Sequence, residues 1–127
     1  MHIESIPMRW GHGDNYTYLV VDTPTKQAWL IDSAQADEVL EYFKKHKTDF
    51  NLKAIVNTHH HYDHSDGNPF FHKKYPDLPI IAGKDSPLVT YTPSDKETLE
   101  LGEDLTITTA TYKESITSKD SFLVSFL

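Results

Sequence analysis

The 127-residue sequence contains no cysteine, no long apolar run and little clustered positive charge. Without cysteine it has neither a disulfide framework nor thiolate metal ligands, so histidine and carboxylate are the only strong ligands that it offers a transition metal. Since no apolar run reaches the length that crosses a bilayer, we expect no membrane contact. Residues 1–10 lack both a hydrophobic signal core and an Arg-rich transit character, which predicts a cytoplasmic protein.

Negative charge predominates, with a formal net charge of -7, and this argues against nucleic acid as a partner. Binding to phosphates needs lysine and arginine clustered on one surface. The basic run is limited to Lys44, Lys45 and Lys47, which fall where a helix is predicted to end and where cations meet the helix dipole favourably. The length and the 38% hydrophobic content are typical of one globular domain.

The hydrophobic pattern alternates between strand and helix along the chain. Aromatic and β-branched side chains in 16–21 and 28–31 predict an antiparallel pair of strands, and a helical apolar face predicts a helix over 36–47. The other predicted elements are a strand over 52–56, a helix over 69–75, a strand over 80–82 and two strands within 99–111 around a turn at Gly102. This order makes the fold class α/β or layered α+β.

Histidine is concentrated where the predicted strand over 52–56 ends. Residues 58–64 read Thr-His-His-His-Tyr-Asp-His. If this segment is extended, alternate side chains share a side, so His59, His61 and Asp63 can converge, and His64 joins them as the chain bends into a helix. Imidazole and carboxylate suit divalent cations such as zinc, and open α/β sheets place their sites at the carboxyl ends of strands. The segment therefore predicts a metal site.

Two other interpretations account for the same composition, a histidine-rich surface loop and a purification tag. A tag lies at a terminus, whereas this cluster is internal. A surface loop has no need of an aspartate at a fixed offset between histidines. Both observations favour metal binding.

The segment resembles the THxHxDH motif of the metallo-β-lactamase superfamily, matched here by Thr58, His59, His61, Asp63 and His64. Gly67 and Asn68 follow as they do in glyoxalase II, and AWLIDSA, with Asp32 at a strand end, resembles the amino-terminal half of that family in order and spacing. The likeness covers about residues 1 to 108, and residues 109–127 are interpreted as a divergent C-terminal tail. It implies an αββα sandwich of which this chain carries the N-terminal half.

The resemblance also implies a role for each residue of the motif. His59 and His61 would bind one metal ion, and Asp63 and His64 a second, with Asp63 also a catalytic residue. Asp32 and Thr58 would orient ligands, although Asp32 is equally well explained as an ordinary carboxylate at a strand end. The implied cofactor is Zn²⁺, up to two ions in a complete site, with Fe or Mn as alternatives. The implied reaction converts S-D-lactoylglutathione, a glutathione thioester, to glutathione and D-lactate.

The sequence departs from the family pattern after the motif. Family members have a third histidine for the first ion, a bridging aspartate and a last histidine, whereas no histidine follows His72 here and Thr117 falls at an expected ligand position. Half a sandwich leaves an apolar sheet face without a cover, and residues 122–127 would be an edge strand. Self-association through that face is therefore predicted.

Three functions are open at this point. The first is a metal-dependent thioester hydrolase that acts on a small glutathione thioester. The second is an iron-dependent persulfide dioxygenase of the same superfamily, which would use His59 and His61 and need not load Asp63 and His64. The third is a degenerate or truncated non-enzymatic paralogue that binds metal weakly. Metal content and thioester turnover separate the three.

Overall fold

Strands and helices alternate along the chain in the computed structural model, which describes residues 1–8, 15–46, 49–58, 62–113 and 120–126. For residues 62–63, 110–113 and 120–126 the description is of the backbone alone. The strands are β1 (His2–Met8), β2 (Asn15–Val21), β3 (Gln27–Ile31), β4 (Asn51–Val56), β5 (Ile80–Ile81), β6 (Thr98–Leu101), β7 (Leu105–Lys113) and β8 (Asp120–Phe126). The helices are α1 (Ala36–His46), α2 (Tyr62–Ser65) and α3 (Asn68–Lys74).

The first sheet contains five strands in the order β1-β2-β3-β4-β5. Strands β1 to β3 pair in antiparallel fashion, whereas β3, β4 and β5 run parallel to one another. Parallel neighbours need crossover connections, which α1 provides between β3 and β4, and α2 with α3 between β4 and β5. The carboxyl ends of β3, β4 and β5 therefore meet at one edge of this sheet.

The second sheet is antiparallel, with the order β6-β7-β8. Pairing of Leu101 with Leu105 closes a hairpin at Gly102, which confirms the turn predicted from the sequence. Strand β8, which contains most of the predicted edge segment, lies at one end of the strand order. Strand β7 runs through position 108, and the boundary drawn there between an N-terminal half and a tail remains a prediction.

Apolar side chains form a core on each face of the first sheet. On one face Leu19, Leu30 and Ile55 pack with Val39 of α1 and Phe71 of α3. On the other face Val20, Trp29 and Val56 pack against residues of the second sheet, including Leu101 and Ile107. The described chain is thus layered as helices, sheet and sheet, and the predicted layered α/β class is confirmed.

The predicted elements recur with small shifts at their ends. Helix α1 begins at the predicted residue, with Asp37 and Glu38 in its first turn and Lys44, Lys45 and His46 in its last, which suits the helix dipole at both ends. Strand β1 was not predicted. Its outer position in the sheet explains why it accommodates Pro7, which has no N–H to donate to a neighbour. Among the described residues, no helix is both long and apolar enough to cross a membrane.

Asp22 links the two sheets. It follows β2, is fully buried, and accepts hydrogen bonds from the Thr25 hydroxyl at 2.6 Å and from the backbone N–H groups of Glu103 and Asp104, each at 3.0 Å. Those two residues belong to the hairpin turn of the second sheet. Gly102 lets the turn come this close: its φ is +64°, and a Cβ there would lie 2.0 Å from Oδ2 of Asp22.

These hydrogen bonds make the Asp22 link sensitive to pH. The bond from Thr25, followed by the N–H donors of the hairpin, holds the pKa of Asp22 below its ordinary value, against the opposing effect of burial. Because the pKa is lower in the folded chain, the stabilisation is complete above the unfolded value of about 3.9 and is lost as the pH falls through the folded value.

We predict that Asp22→Asn lowers the Tm by several degrees at neutral pH, because an amide replaces a carboxylate oxygen with a donor that faces other donors. As the pH falls below about 4 the difference in Tm should shrink, and it should vanish once the pH has passed the lowered pKa of Asp22 in the folded protein. Thermal unfolding followed by circular dichroism between neutral and acidic pH measures both effects. Asp104→Asn, in the same turn but exposed, is the control. A difference in Tm that stays constant with pH would contradict the prediction.

Candidate metal centre

Polar residues follow β3 and β4 at the edge where the parallel strands end. The register pairs Ile31 with Val56, which are the last residues of β3 and β4. Asp32 and Asn57 therefore follow the ends of two neighbouring strands directly. Both are buried, and Thr58, which follows, is half-buried. Edges of this kind are where open α/β sheets place ligand sites.

Asp32 adopts a left-handed backbone conformation, with φ at 57°. Three hydrogen bonds fix it there. Its N–H donates to the carbonyl of Val56 at 2.8 Å, and its carbonyl accepts from the N–H of Ala34 and the hydroxyl of Thr17, each at 2.9 Å. A non-glycine residue in this region costs about 1–3 kcal/mol and persists only where its surroundings determine it, which is common at functional sites.

The carboxylate of Asp32 connects the two ends of the histidine segment. Its Oδ1 accepts from the backbone N–H of Thr58 at 2.7 Å, and its Oδ2 accepts from the Thr58 hydroxyl at 2.6 Å. The same Oδ2 lies 2.9 Å from Nδ1 of His64. The side chain of Asp32 is 6% exposed and that of His64 is 22% exposed, so this contact is largely shielded from water.

The last part of the motif is helical and not extended as predicted. Strand β4 ends at Val56 and α2 covers Tyr62–Ser65, so Asp63 and His64 lie in a helical turn. The prediction that Asp63 shares a side with His59 and His61 in an extended segment is therefore wrong in its premise, because a helix places successive side chains about 100° apart. His59 and His61 lie outside the described residues, as does Thr117, and for Asp63 only the backbone is described. Their convergence on a metal remains a prediction.

Of the four predicted ligands, His64 alone has a described side chain, and its imidazole is a donor that suits divalent cations. A carboxylate on Nδ1 of His64 selects the tautomer with its proton on that nitrogen, so coordination by His64 would use Nε2. Such a carboxylate beside a ligating histidine is a common arrangement in metal proteins. Within the described ranges no three His, Asp or Glu side chains form a cluster that could hold a metal ion.

A family model covers the residues of this site. The model for the metallo-β-lactamase superfamily matches residues 10–123, nearly the whole chain. The chain belongs to the metallo-β-lactamase superfamily, and members of this superfamily bind metal ions.

Curated relatives make the likeness more specific. The chain is 45% identical over 116 residues to the cytoplasmic isozyme of hydroxyacylglutathione hydrolase from Saccharomyces cerevisiae, with 85% of this chain and 42% of that protein covered. It is 40% identical over 104 residues to a probable hydroxyacylglutathione hydrolase of Schizosaccharomyces pombe, with 80% and 41% covered. These names confirm the predicted likeness to glyoxalase II. The chain spans about two fifths of the length of both relatives.

Solved structures confirm the fold. The ETHE1 protein from Myxococcus xanthus superposes with a TM-score of 0.74 at 20% identity, covering 98% of this chain and 54% of that one. TTHA1623 in a di-iron-bound form gives a TM-score of 0.65 at 17% identity, covering 92% of this chain and 65% of that one. At these identities the likeness concerns the fold alone, and it confirms the metallo-β-lactamase architecture.

We predict that Asp32→Asn weakens zinc binding by about 10- to 100-fold, the usual effect of removing a partner of a ligating histidine. Asparagine tolerates the left-handed conformation, so the backbone should be retained. The asparagine amide has one acceptor oxygen where the carboxylate has two, so it cannot accept hydrogen bonds at both Oδ positions from Thr58 and His64. His64 also loses its charged partner. Competition with a chromogenic chelator measures the Kd. Asp49→Asn, which alters an exposed carboxylate 2.7 Å from Nζ of Lys26, is the matched control. Equal zinc affinity in both variants would contradict the predicted role of Asp32.

Proposed function

We propose that this chain contributes the first half of the metal centre of a glyoxalase II-type hydrolase, which cleaves S-acylglutathione thioesters such as S-D-lactoylglutathione. The observation that carries the proposal is the contact of Asp32 with both Thr58 and His64 at the carboxyl ends of β3 and β4. The names of the curated relatives support the choice of substrate. Because the relative with 45% identity is a cytoplasmic isozyme, we propose the cytosol as the compartment.

In this proposal His59 and His61 hold one divalent ion, and Asp63 and His64 hold a second. Asp32 keeps the His64 imidazole in the tautomer that presents Nε2 as ligand, and it fixes the start of the motif through Thr58. When bound, the ions would lower the pKa of a water molecule to about 7 and would supply positive charge for the developing oxyanion. We propose zinc as the metal, with iron and manganese as alternatives that suit the same donors.

The chemistry of the substrate reduces what else the protein must supply. A thiol has a pKa of about 8.5, so its thiolate departs readily when the carbonyl is attacked. A general acid for the leaving group is therefore less necessary than in the cleavage of an amide. The tasks left to the chain's own residues are to hold the ligands, to orient them and to exclude bulk water, which the buried contacts of Asp32 favour.

Metal stoichiometry and thioester turnover, measured on the same purified protein, test the proposal. We expect saturable uptake of zinc. We also expect release of glutathione from S-D-lactoylglutathione, detected with a thiol reagent, and expect it to be slow because this chain carries only part of the ligands of the complete centre. Saturable uptake of iron with oxygen-dependent consumption of a glutathione persulfide, and without thioester turnover, would favour the dioxygenase and overturn the proposal. Absence of both metal uptake and turnover would favour a non-enzymatic module.

We predict that His59→Ala or Asp63→Ala lowers the affinity for zinc by at least about 10-fold while the soluble yield stays nearly unchanged. The reason is that the motif follows β4, whose own residues Ala54, Ile55 and Val56 lie in the core and are unchanged in both variants. Isothermal titration measures the affinity. His60→Ala, adjacent to the motif ligands and outside their pattern, is the control. Loss of the fold with metal binding retained would contradict this prediction.

A further inference from the structure

Two residues that follow the motif, Gly67 and Asn68, have no part in the proposed chemistry, yet both are buried. Asn68 has no exposed surface. Its side-chain Nδ2 donates two hydrogen bonds, to Oδ1 of Asn57 at 2.7 Å and to the carbonyl of Pro87 at 2.8 Å. The amide thus joins the first residue of α3 to the end of β4 and to the loop after β5.

Asn57 continues this connection to the motif. It directly precedes Thr58, is fully buried, and its N–H donates to the carbonyl of Ile81 at 3.0 Å. Its own Nδ2 donates a long hydrogen bond of 3.5 Å to the carbonyl of His64. A chain of amides therefore runs from Asn68 through Asn57 to the backbone of His64. The two ends of the motif, at Thr58 and at His64, are held by the amides of Asn57 and Asn68 on one side and by Asp32 on the other.

Gly67 lets the turn between α2 and α3 approach the segment that follows β3. A Cβ at this position would lie 1.8 Å from the carbonyl oxygen of Ser33 and 3.0 Å from its carbon. Both are backbone atoms of the residue after Asp32, so they have little freedom to move aside. The φ of Gly67 is an ordinary -80°, and glycine is needed here for close approach rather than for its dihedral range.

Within the described part of the chain, the Asn68 side chain acts as a hydrogen-bond donor and not as an acceptor. Among the described residues this buried Oδ1 has no hydrogen-bond partner, whereas both protons of Nδ2 are used. A buried polar atom without a partner is a cost to stability, so the residue is explained by its two donors and not by its acceptor. Aspartate, which has the same shape but no donor, cannot replace it.

We propose that Asn68 and Gly67 are positioning residues, which set the distance between His64 and Asp32 by fixing the turn between α2 and α3 against the ends of both β3 and β4. The consequence for metal binding rests on the proposed function, because it takes His64 to be a ligand. The positioning itself concerns the metal-free chain and can be measured there.

The test compares wild type with Asn68→Asp in ¹⁵N-labelled, metal-free protein at about pH 8, above the ordinary pKa of histidine. Long-range ¹H–¹⁵N correlation reports which ring nitrogen of His64 carries the proton. We expect the proton on Nδ1 in the wild type, a mixture of tautomers in the variant, and faster hydrogen exchange at the Thr58 amide. Zinc ions alone should then bind about 10-fold more weakly or worse.

A purely structural role would lower the Tm of the variant but leave the His64 tautomer and the Thr58 amide of the folded protein as in wild type, and that result would overturn the proposal. Asn51→Asp, at the exposed start of β4, is the matched control and should change neither signal. If Asn68→Asp does not fold, Asn68→Ser, which keeps one donor, is expected to show intermediate shifts, and wild-type signals in it would overturn the proposal equally. A wild type that binds no zinc would refute the proposed function alone, since the tautomer comparison still decides on positioning.

Discussion

The carboxylate of Asp32 is the constraint around which this edge of the sheet is organised. It is almost completely buried, and a buried carboxylate is tolerated only where donors surround it. The donors are the N–H and hydroxyl of Thr58, which follows β4, and Nδ1 of His64, which comes back from α2. Satisfying one charge thus brings together the first and the last residue of the histidine motif. The left-handed backbone of Asp32 makes this geometry available, because it turns the chain away from β3 directly at the strand end.

The site is carried by a sheet with a core on each face. Helices α1 and α3 cover one face, and the second sheet covers part of the other. Asp22 performs at the opposite end of β3 a task like that of Asp32, since it collects hydrogen bonds from a distant turn and holds the two sheets together. Ile3, Tyr16 and Tyr18 remain exposed on β1 and β2, and the self-association predicted from the sequence remains a prediction.

Most of the elements could be predicted because their patterns are local. Alternation of side chains along β2 and β3 and the helical face of α1 are set by neighbours a few residues away. Strand β1 was missed because its pattern is interrupted by Pro7, and only its place at the edge of the sheet makes that residue acceptable. Helix α2 was missed because four residues are too few to show a period, so Asp63 was assigned to an extended segment. Asn57 was missed as well, since nothing in its neighbourhood in the sequence distinguishes a strand-end amide that bridges two elements from an ordinary polar residue.

The sequence by itself determined the donors available to a metal, the family motif that contains them, and the layered α/β class. The reason is that ligand chemistry depends on residue types, and that periodicity depends on the spacing of apolar residues. Only the tertiary structure decided which groups meet. Asp32 and His64 are 32 residues apart, and Asp22 and Asp104 are 82 apart, so their contacts depend on strand register and crossover connections. The same holds for Gly67, which is needed because the backbone of Ser33, in the segment after β3, approaches it closely. Contacts of this kind join residues that are far apart in the sequence, and they form only when the long segments between them fold onto the two cores. A pattern of neighbouring residues therefore does not predict them.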